Sequence, residues 1–306
     1  MEQMATATEA VVRSVEALMR GHRLGGRPRL DIRVGLVGRG IQLSRTPAMH
    51  EREAARLGLS CAYLLIDFDV LGLGDDDLAA ALDAASMLGF DGVNVTHPFK
   101  QRVLPLLDAL APDAAALGAV NTVVFGGRRT GHNTDCWGFG ESFRAAMAGA
   151  QLGRVAMFGA GGAGSAVAHA LLGLGAGRID VVDSEPARAS ALVARLSATA
   201  GAARLAVADA AAAVRGADGI VNTTPVGMAK YPGTPFPVEL LSARQWVADV
   251  IYFPVETELL RQAAALGCRT LPGIGMAIGQ AARAFELFTG RTADMAAMAR
   301  HFEAAA

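Results

Sequence analysis

The chain has 306 residues, is 52% hydrophobic and 19% charged, and carries a formal net charge of −1. That length accommodates two domains with their own cores, and the near-neutral balance gives no electrostatic basis for binding nucleic acid or an anionic membrane. Cys61, Cys136 and Cys268 are far apart and odd in number, so neither a disulfide framework nor a zinc site is indicated, and a reducing, cytoplasmic setting is expected.

In residues 1–21, Val11, Val15, Leu18 and Met19 fall at helical spacing among Glu, Thr and Arg. This predicts an amphipathic leading helix, not a signal peptide or membrane anchor, joined by a Gly/Arg/Pro-rich link up to Pro28. Residues 32–37 read as a strand that ends in a loop and then in Ser44-Arg45-Thr46-Pro47. Thr46 stands as an N-cap ahead of an N1 proline, for a helix from Pro47 to about Leu57. Residues 62–66 form the next strand, and 75–88 are helical in pattern. Phe90, Val93 and Val95 make a buried strand that runs into Thr96-His97-Pro98-Phe99-Lys100, with Pro98 read as opening a helix that carries Val103, Leu104, Leu106 and Leu107. Residues 119–125 are a strand closed by the Gly126-Gly127 turn. Strands alternating with helices predict a mostly parallel sheet covered on both faces.

Past Gly131-His132-Asn133-Thr134-Asp135, a helix carries Trp137, Phe139, Phe143 and Met147. The pattern then restarts with a strand at 155–158, followed directly by Gly159-Ala160-Gly161-Gly162-Ala163-Gly164 and a helix, and a strand at 179–182 ends at Asp183. A G-x-G-x-x-G run between strand and helix, with an acidic residue closing the next strand, is the context of a dinucleotide fingerprint. Its glycines let backbone amides approach a pyrophosphate; the same glycines also serve helix–strand packing. A carboxylate at Asp183 suits the ribose hydroxyls of NAD and repels the 2′-phosphate of NADP. Arg188, five residues on, offers a phosphate clamp or simply a solvated helix face. The last clear helix, 274–288, follows Pro272-Gly273.

Hydride transfer from a secondary alcohol also requires loss of the hydroxyl proton, which a suitably placed lysine can accept. Lys100 and Asp135 each lie in a short polar turn just after a strand; the pair equally suits a structural ion pair. The hydroxyls of Ser44, Thr46 and Thr96 and the amide of Asn121 can hold a polyhydroxylated, carboxylated ring. Taken singly, each also reads as a cap, a turn former or an edge-strand side chain. The six histidines show no metal-ligand spacing, so no metal is expected.

These motifs in combination resemble the shikimate and quinate/shikimate dehydrogenases, from about Val34 to about Leu287. Ser44-x-Thr46-Pro47 is similar to the family's substrate loop, and Asn94-Val95-Thr96-x-Pro98-x-Lys100 to its lysine segment. Ala119-Val120-Asn121-Thr122, Asn133-Thr134-Asp135, the Gly159–Ala163 loop, the run from Asn222 to Met228, and Gly273-x-x-Met276 with Gln280 are similar to the rest. The resemblance implies an α/β protein of two domains: a substrate domain at 31–135 with 274–306, after a leading helix and link at 1–30, and a Rossmann-type dinucleotide domain at 136–273. It implies Lys100 and Asp135 as the catalytic pair, and Ser44, Thr46, Thr96, Asn121, Tyr252 and Gln280 as substrate ligands. It further implies that Gly159, Ala160, Gly161, Gly162, Ala163, Asp183, Arg188, Thr223, Thr224, Pro225, Val226, Gly273 and Met276 line the cofactor.

The biosynthetic, NADP-using pattern has an arginine after the second dinucleotide strand, where this chain has Asp183-Ser184-Glu185. Together with Thr46 and His97, that resembles the NAD-dependent branch and implies oxidation of the C3 hydroxyl of quinate and shikimate by a cytoplasmic monomer or homodimer. The rival expectations are an NADP-dependent shikimate dehydrogenase working in the reductive direction, and a ligand sensor without turnover.

Overall fold

The computed structural model describes residues 2–21, 30–200 and 204–303, so most of the expected link at 22–28 lies outside the described residues. In chain order the elements are α1 (Glu2–Gly21), β1 (Ile32–Gly38), α2 (Thr46–Arg56), β2 (Cys61–Asp67), α3 (Leu78–Met87), β3 (Gly92–Val95), β4 (Ala109–Leu110), α4 (Pro112–Leu117), β5 (Thr122–Phe125) and β6 (Arg129–His132). Next come α5 (Thr134–Ala146), β7 (Arg154–Phe158), α6 (Gly162–Gly173), β8 (Arg178–Val182), α7 (Pro186–Ala200), β9 (Leu205–Val207), α8 (Ala210–Gly216), β10 (Gly219–Asn222) and β11 (Trp246–Asp249). The chain ends through α9 (Glu258–Ala265), β12 (Arg269–Leu271), α10 (Ile274–Thr289) and α11 (Met295–Glu303). It divides into two compact units, Met1–Thr134 with Ala281–Ala306, and Asp135–Gln280, and passes from one to the other inside α5 and α10.

The first unit holds a six-stranded sheet in the order β2-β1-β3-β5-β6-β4. β1 pairs parallel with β2 and β3, and β4 pairs parallel with β6. β5 is antiparallel to both β3 and β6, and the Gly126-Gly127 turn, with Gly127 at φ 79°, folds residues 122–132 into the β5–β6 hairpin. Strand β6 had no counterpart in the sequence reading: Arg129-Thr130-Gly131-His132 has neither alternating polarity nor an apolar run. α1 forms as expected and packs on its own chain, burying Val11 and Val15 in the core that also holds Leu82, Phe90 and Val93. On the opposite face, Phe285 and Phe288 of α10 close over Ile32, Val34 and Tyr63.

Two local expectations are corrected. α2 begins at Thr46 itself, with Arg45 in the cap position and no side-chain cap, so Thr46 is the first helical residue and not the cap. No α-helix follows Lys100 directly. The His97–Pro98 peptide is cis, turns follow, and only a short 3₁₀ segment, Leu104–Leu106, comes after them. Pro105 explains this: it lacks an N–H and disfavours helical geometry at Leu104, so a helix cannot run through 103–107.

The second unit has an all-parallel sheet, β12-β11-β10-β7-β8-β9. Numbered within the unit this is 6-5-4-1-2-3, the doubly wound order whose switch point lies between its first and fourth strands, here β7 and β10. Val155, Met157, Val167, Leu171, Ile179 and Leu192 pack one core between sheet and helices, with the Phe143 ring edge-on to Trp246 at 4.9 Å. Within this unit α5 and α10 cross at backbone contact: a Cβ on Gly138 would stand 2.6 Å from the Gln280 nitrogen, and one on Gly279 2.8 Å from the Gly138 Cα.

Candidate functional site

In the first unit the residues expected to bind the acid lie after the carboxyl ends of β1 and β3 and on the connection into β5. Asp67, at the end of β2, organises the loop after β1. Its carboxylate accepts from the Gly40 and Ile41 amides (3.1 and 3.0 Å) and from Gln42 Nε2 (2.9 Å). Burial pushes the Asp67 carboxyl up, but the bonds from Gln42, Ile41, Asp69 and Gly40 outweigh it and hold the group below the usual carboxylate range. The loop so tied delivers Ser44 and Thr46, whose hydroxyls lie 3.2 Å apart, with the Thr46 amide donating to Ser44 Oγ at 3.3 Å. Sequence reasoning missed Asp67; its signal was a carboxylate closing an apolar strand.

Lys100 sits on a turn pinned at both sides. The Thr96 amide donates to Val37 O at 3.0 Å, and Phe99 and Val103 are fully buried, Phe99 against the Phe68 ring at 4.5 Å. The Lys100 carbonyl accepts from the Val120 amide at 2.8 Å. A half-buried lysine is thus carried on backbone that buried side chains hold on either side.

Asn121 is 3% exposed, and its side chain is heavily committed. Its Oδ1 accepts from the Thr134 amide (2.8 Å) and the Thr122 hydroxyl (3.0 Å), while Nδ2 donates to Thr134 Oγ1 (3.0 Å). It thereby satisfies a first-turn amide of α5 from outside the helix. With both lone-pair directions of Oδ1 taken, the valence left to a ligand is the second N–H, so Asn121 presents a donor and not an acceptor. Asp135, the next residue after Thr134, is 8% exposed.

In the second unit the strand–glycine–helix segment lies at the switch point. Gly159 has φ 101°, and a Cβ there would stand 2.8 Å from Thr223 Oγ1. The Thr223 hydroxyl fills that space and shares its one proton between the Phe158 and Gly159 carbonyls, both at 2.8 Å. Gly164 is likewise explained by packing, since a Cβ there would run into the Gly159 carbonyl. Gly161 is different. It caps α6 at an ordinary φ of −78° and offers no side chain of its own. A Cβ there would meet nothing within 4 Å. Neither backbone conformation nor own-chain packing requires this glycine, and close approach of a pyrophosphate to the start of α6 does. The residues present therefore fit a dinucleotide.

Asp183 is fixed beside this loop: Oδ2 accepts from the Ala160 amide at 2.7 Å and Oδ1 from the Glu185 amide at 2.8 Å. Each oxygen keeps a further acceptor position for a ribose hydroxyl. Arg188 pairs with Glu185 at 2.8 Å on the exposed face of α7.

Asn222 braces the turn after β10. Its Oδ1 accepts from the Thr224 amide and hydroxyl (3.0 and 2.7 Å), and its Nδ2 donates to Val226 O and Asp249 Oδ1 (2.9 and 3.1 Å). Pro225 lies within that turn. Tyr252, on the turn after β11, is 48% exposed, while Met276 is buried in the core of this unit. A Cβ on Gly273 would collide with the Val250 carbonyl, and Gln280 Nε2 donates to Ala277 O at 3.1 Å on its own helix.

Among the described residues there is no group of three or more His, Cys, Asp or Glu suited to a metal ion, and no helix long and apolar enough to cross a membrane.

Residues 36–123 match the shikimate dehydrogenase substrate binding domain, and residues 273–301 the shikimate 5′-dehydrogenase C-terminal domain. The chain is 57% identical over 265 residues to a shikimate dehydrogenase (NADP(+)) of Streptomyces avermitilis, covering 85% of this chain and 91% of that one. It is 48% identical over 277 residues to a quinate/shikimate dehydrogenase (NAD(+)) of Corynebacterium glutamicum, covering 89% and 98%. Its fold superposes with a TM-score of 0.86 on quinate dehydrogenase from Corynebacterium glutamicum in complex with NAD, at 47% identity and covering 89% of this chain and 99% of that one. With the strand–glycine–helix segment at a doubly wound switch point and relatives this similar over nearly their whole length, the chain belongs to the shikimate dehydrogenase family.

Proposed function

We propose that the protein oxidises the C3 hydroxyl of quinate, and of shikimate, to the 3-dehydro acid with NAD. The observation that carries the choice of cofactor is the acidic end of β8. Asp183 is locked onto the Ala160 amide, Glu185 follows it, and the nearby Arg188 is engaged by Glu185. A fixed carboxylate there accepts from ribose hydroxyls and repels a 2′-phosphate. The motif set around Ser44, Lys100, Asn121 and Asp135 supports the substrate, as does the Corynebacterium relative's name.

In this reading Ser44, Thr46, Thr96, Asn121, Tyr252 and Gln280 hold the carboxylate and hydroxyls of the acid. Lys100 takes the proton that the C3 hydroxyl loses, and Asp135 orients the lysine amine. A nicotinamide bound there would supply the acceptor for the hydride that leaves C3. Gly159, the Gly161 amide region and the first turn of α6 hold the pyrophosphate, and Thr223, Thr224, Pro225, Val226, Gly273 and Met276 shape the nicotinamide end.

The Streptomyces relative's name supports a second reading, an NADP-dependent enzyme that reduces 3-dehydroshikimate. Initial rates with quinate and with shikimate, each with NAD and NADP, followed at the NADH absorbance band, decide between them. The expected result is a kcat/KM at least about tenfold higher with NAD, a difference of roughly 1.4 kcal/mol. A preference for NADP removes the cofactor assignment, and no rate with either acid removes the whole reading.

A further inference from the structure

The Asn94-Val95-Thr96 segment contains one polar residue that the reading above leaves without a task. Asn94 is 4% exposed and points into the first unit, not toward a ligand. Its Nδ2 donates to Thr122 Oγ1 at 2.9 Å and to the Asn121 carbonyl at 3.3 Å. A backbone carbonyl can only accept, so the atom facing it is the nitrogen, and Asn94 Oδ1 faces the other way. There it meets the Tyr63 hydroxyl at 2.8 Å. Tyr63 is 3% exposed, and burial pushes its phenol well above the ordinary range, so it is a proton donor across the physiological range.

The bonds therefore run in one direction. Tyr63 O–H donates to Asn94 Oδ1, Asn94 N–H to Thr122 Oγ1, and Thr122 O–H to Asn121 Oδ1. Asn121 is held at the same oxygen by the Thr134 amide. Thr122 accepts from Asn94, and its one proton goes to Asn121 Oδ1 at 3.0 Å, the shorter of the two contacts open to it, the other being the Thr134 hydroxyl at 3.5 Å. Each member is buried, so a broken link leaves an unpaired polar group where water does not compensate it.

We infer that Tyr63, Asn94 and Thr122 are positioning residues for the acid substrate, which hold the Asn121 amide with its free N–H presented to the ligand. This rests on the reading of Asn121 as a substrate ligand. Tyr63 lies on β2, two links further from the ligand than Asn121's immediate partner Thr122, and belongs to none of the motifs that define the site. The proposed effect falls on binding of the acid and not on the dinucleotide, because the relay ends in the first unit.

The test is steady-state kinetics on wild type, Tyr63→Phe, Thr122→Val and Thr122→Ser, with quinate and shikimate as varied substrates and then NAD as varied substrate. Tyr63→Phe keeps the ring and its packing on His50 and removes only the hydroxyl. Thr122→Val keeps the shape and removes the relay; Thr122→Ser keeps the relay. The expected result is a KM for the acid raised about threefold to tenfold in Tyr63→Phe and Thr122→Val, the size of one lost hydrogen bond, with the KM for NAD within about twofold of wild type. Thr122→Ser should stay within about twofold of wild type for both. An acid KM unchanged in both relay-breaking variants, an NAD KM that rises in step with it, or equal effects of Thr122→Ser and Thr122→Val would each overturn the proposal. Wild type that turns over neither acid removes the reading on which the proposal rests, and the proposal with it. Wild type that does so, with variants at its KM, removes the proposal alone.

Discussion

Gly159 and Gly161 stand two residues apart in one loop and answer to different demands. Gly159 is required by the chain itself, through a φ of 101° and the Thr223 side chain that fills the place of a Cβ. Gly159→Ala should therefore cost about 1–3 kcal/mol of stability, read as a lowered urea midpoint, and weaken NAD as well. Gly161→Ala meets no atom of the protein within 4 Å. As a change at an N-cap it should cost no more than about 1 kcal/mol of stability yet raise the KM for NAD by about tenfold or more, and a wild-type NAD KM would take the pyrophosphate away from this position. Replacing Asp183 with Asn and Ser184 with Arg should move preference toward NADP, measured as the ratio of kcat/KM for the two cofactors. For Lys100→Ala we expect kcat to fall by about 10²–10⁴ with little change in NAD binding, and wild-type turnover would end its role in proton transfer.

At the scale of elements, the sequence disclosed what repeats and concealed what is local. The restart at 155–158, the glycine loop and Asp183 were legible because strand, turn and helix follow one another with the right residues at each junction, and the structure holds them as β7, α6 and β8. The lysine segment was legible as a strand that ends in a polar turn. Its continuation was misread because Val103, Leu104, Leu106 and Leu107 have helical spacing that Pro105 forbids. β6 was invisible because its four residues owe their strand conformation to the hairpin partner and not to their own pattern. For the site, the hydroxyls and the lysine could be named from motifs, but their supports could not. Asp67 and Tyr63 lie on β2, paired parallel with β1, and Thr122 lies on β5, paired antiparallel with β3, so pairing across long sequence separations brings them to the site. Asp67 gives an element-scale prediction. Asp67→Ala unties the amides of Gly40 and Ile41, leaving them without their acceptor. The expected outcome is a stability loss of about 1–3 kcal/mol together with a raised KM for the acid, through Ser44 and Thr46, and an unchanged KM for NAD.

For the whole molecule, His50 sets an acid limit. It is 1% exposed between the rings of Tyr63 (4.8 Å), Phe285 (5.8 Å) and Phe288 (6.1 Å), and its Nε2 has no hydrogen-bond partner. Burial lowers its pKa from 6.5 to about 3, so between these values the unfolded chain binds a proton that the folded chain refuses. Stability from this group is whole above pH 6.5 and is lost as the pH falls toward 3, amounting to about 2–3 kcal/mol by roughly pH 4.5. His50→Phe should flatten the dependence of urea stability on pH in that interval, and an unaltered slope would place the acid lability elsewhere. The same contact surface bears on how the protein is made. Phe285 and Phe288 cover β1, yet Asp135–Gln280 lies between them in the chain. At roughly 5–20 residues per second, translation spends on the order of ten seconds on that insert. The inserted unit has all its strands once residue 271 has left the ribosome, while the first unit still lacks one cover of its sheet. The nascent chain thus carries an open apolar face, Ile32, Val34 and Tyr63, through the synthesis of the entire insert, and that is the interval in which a chaperone would meet it.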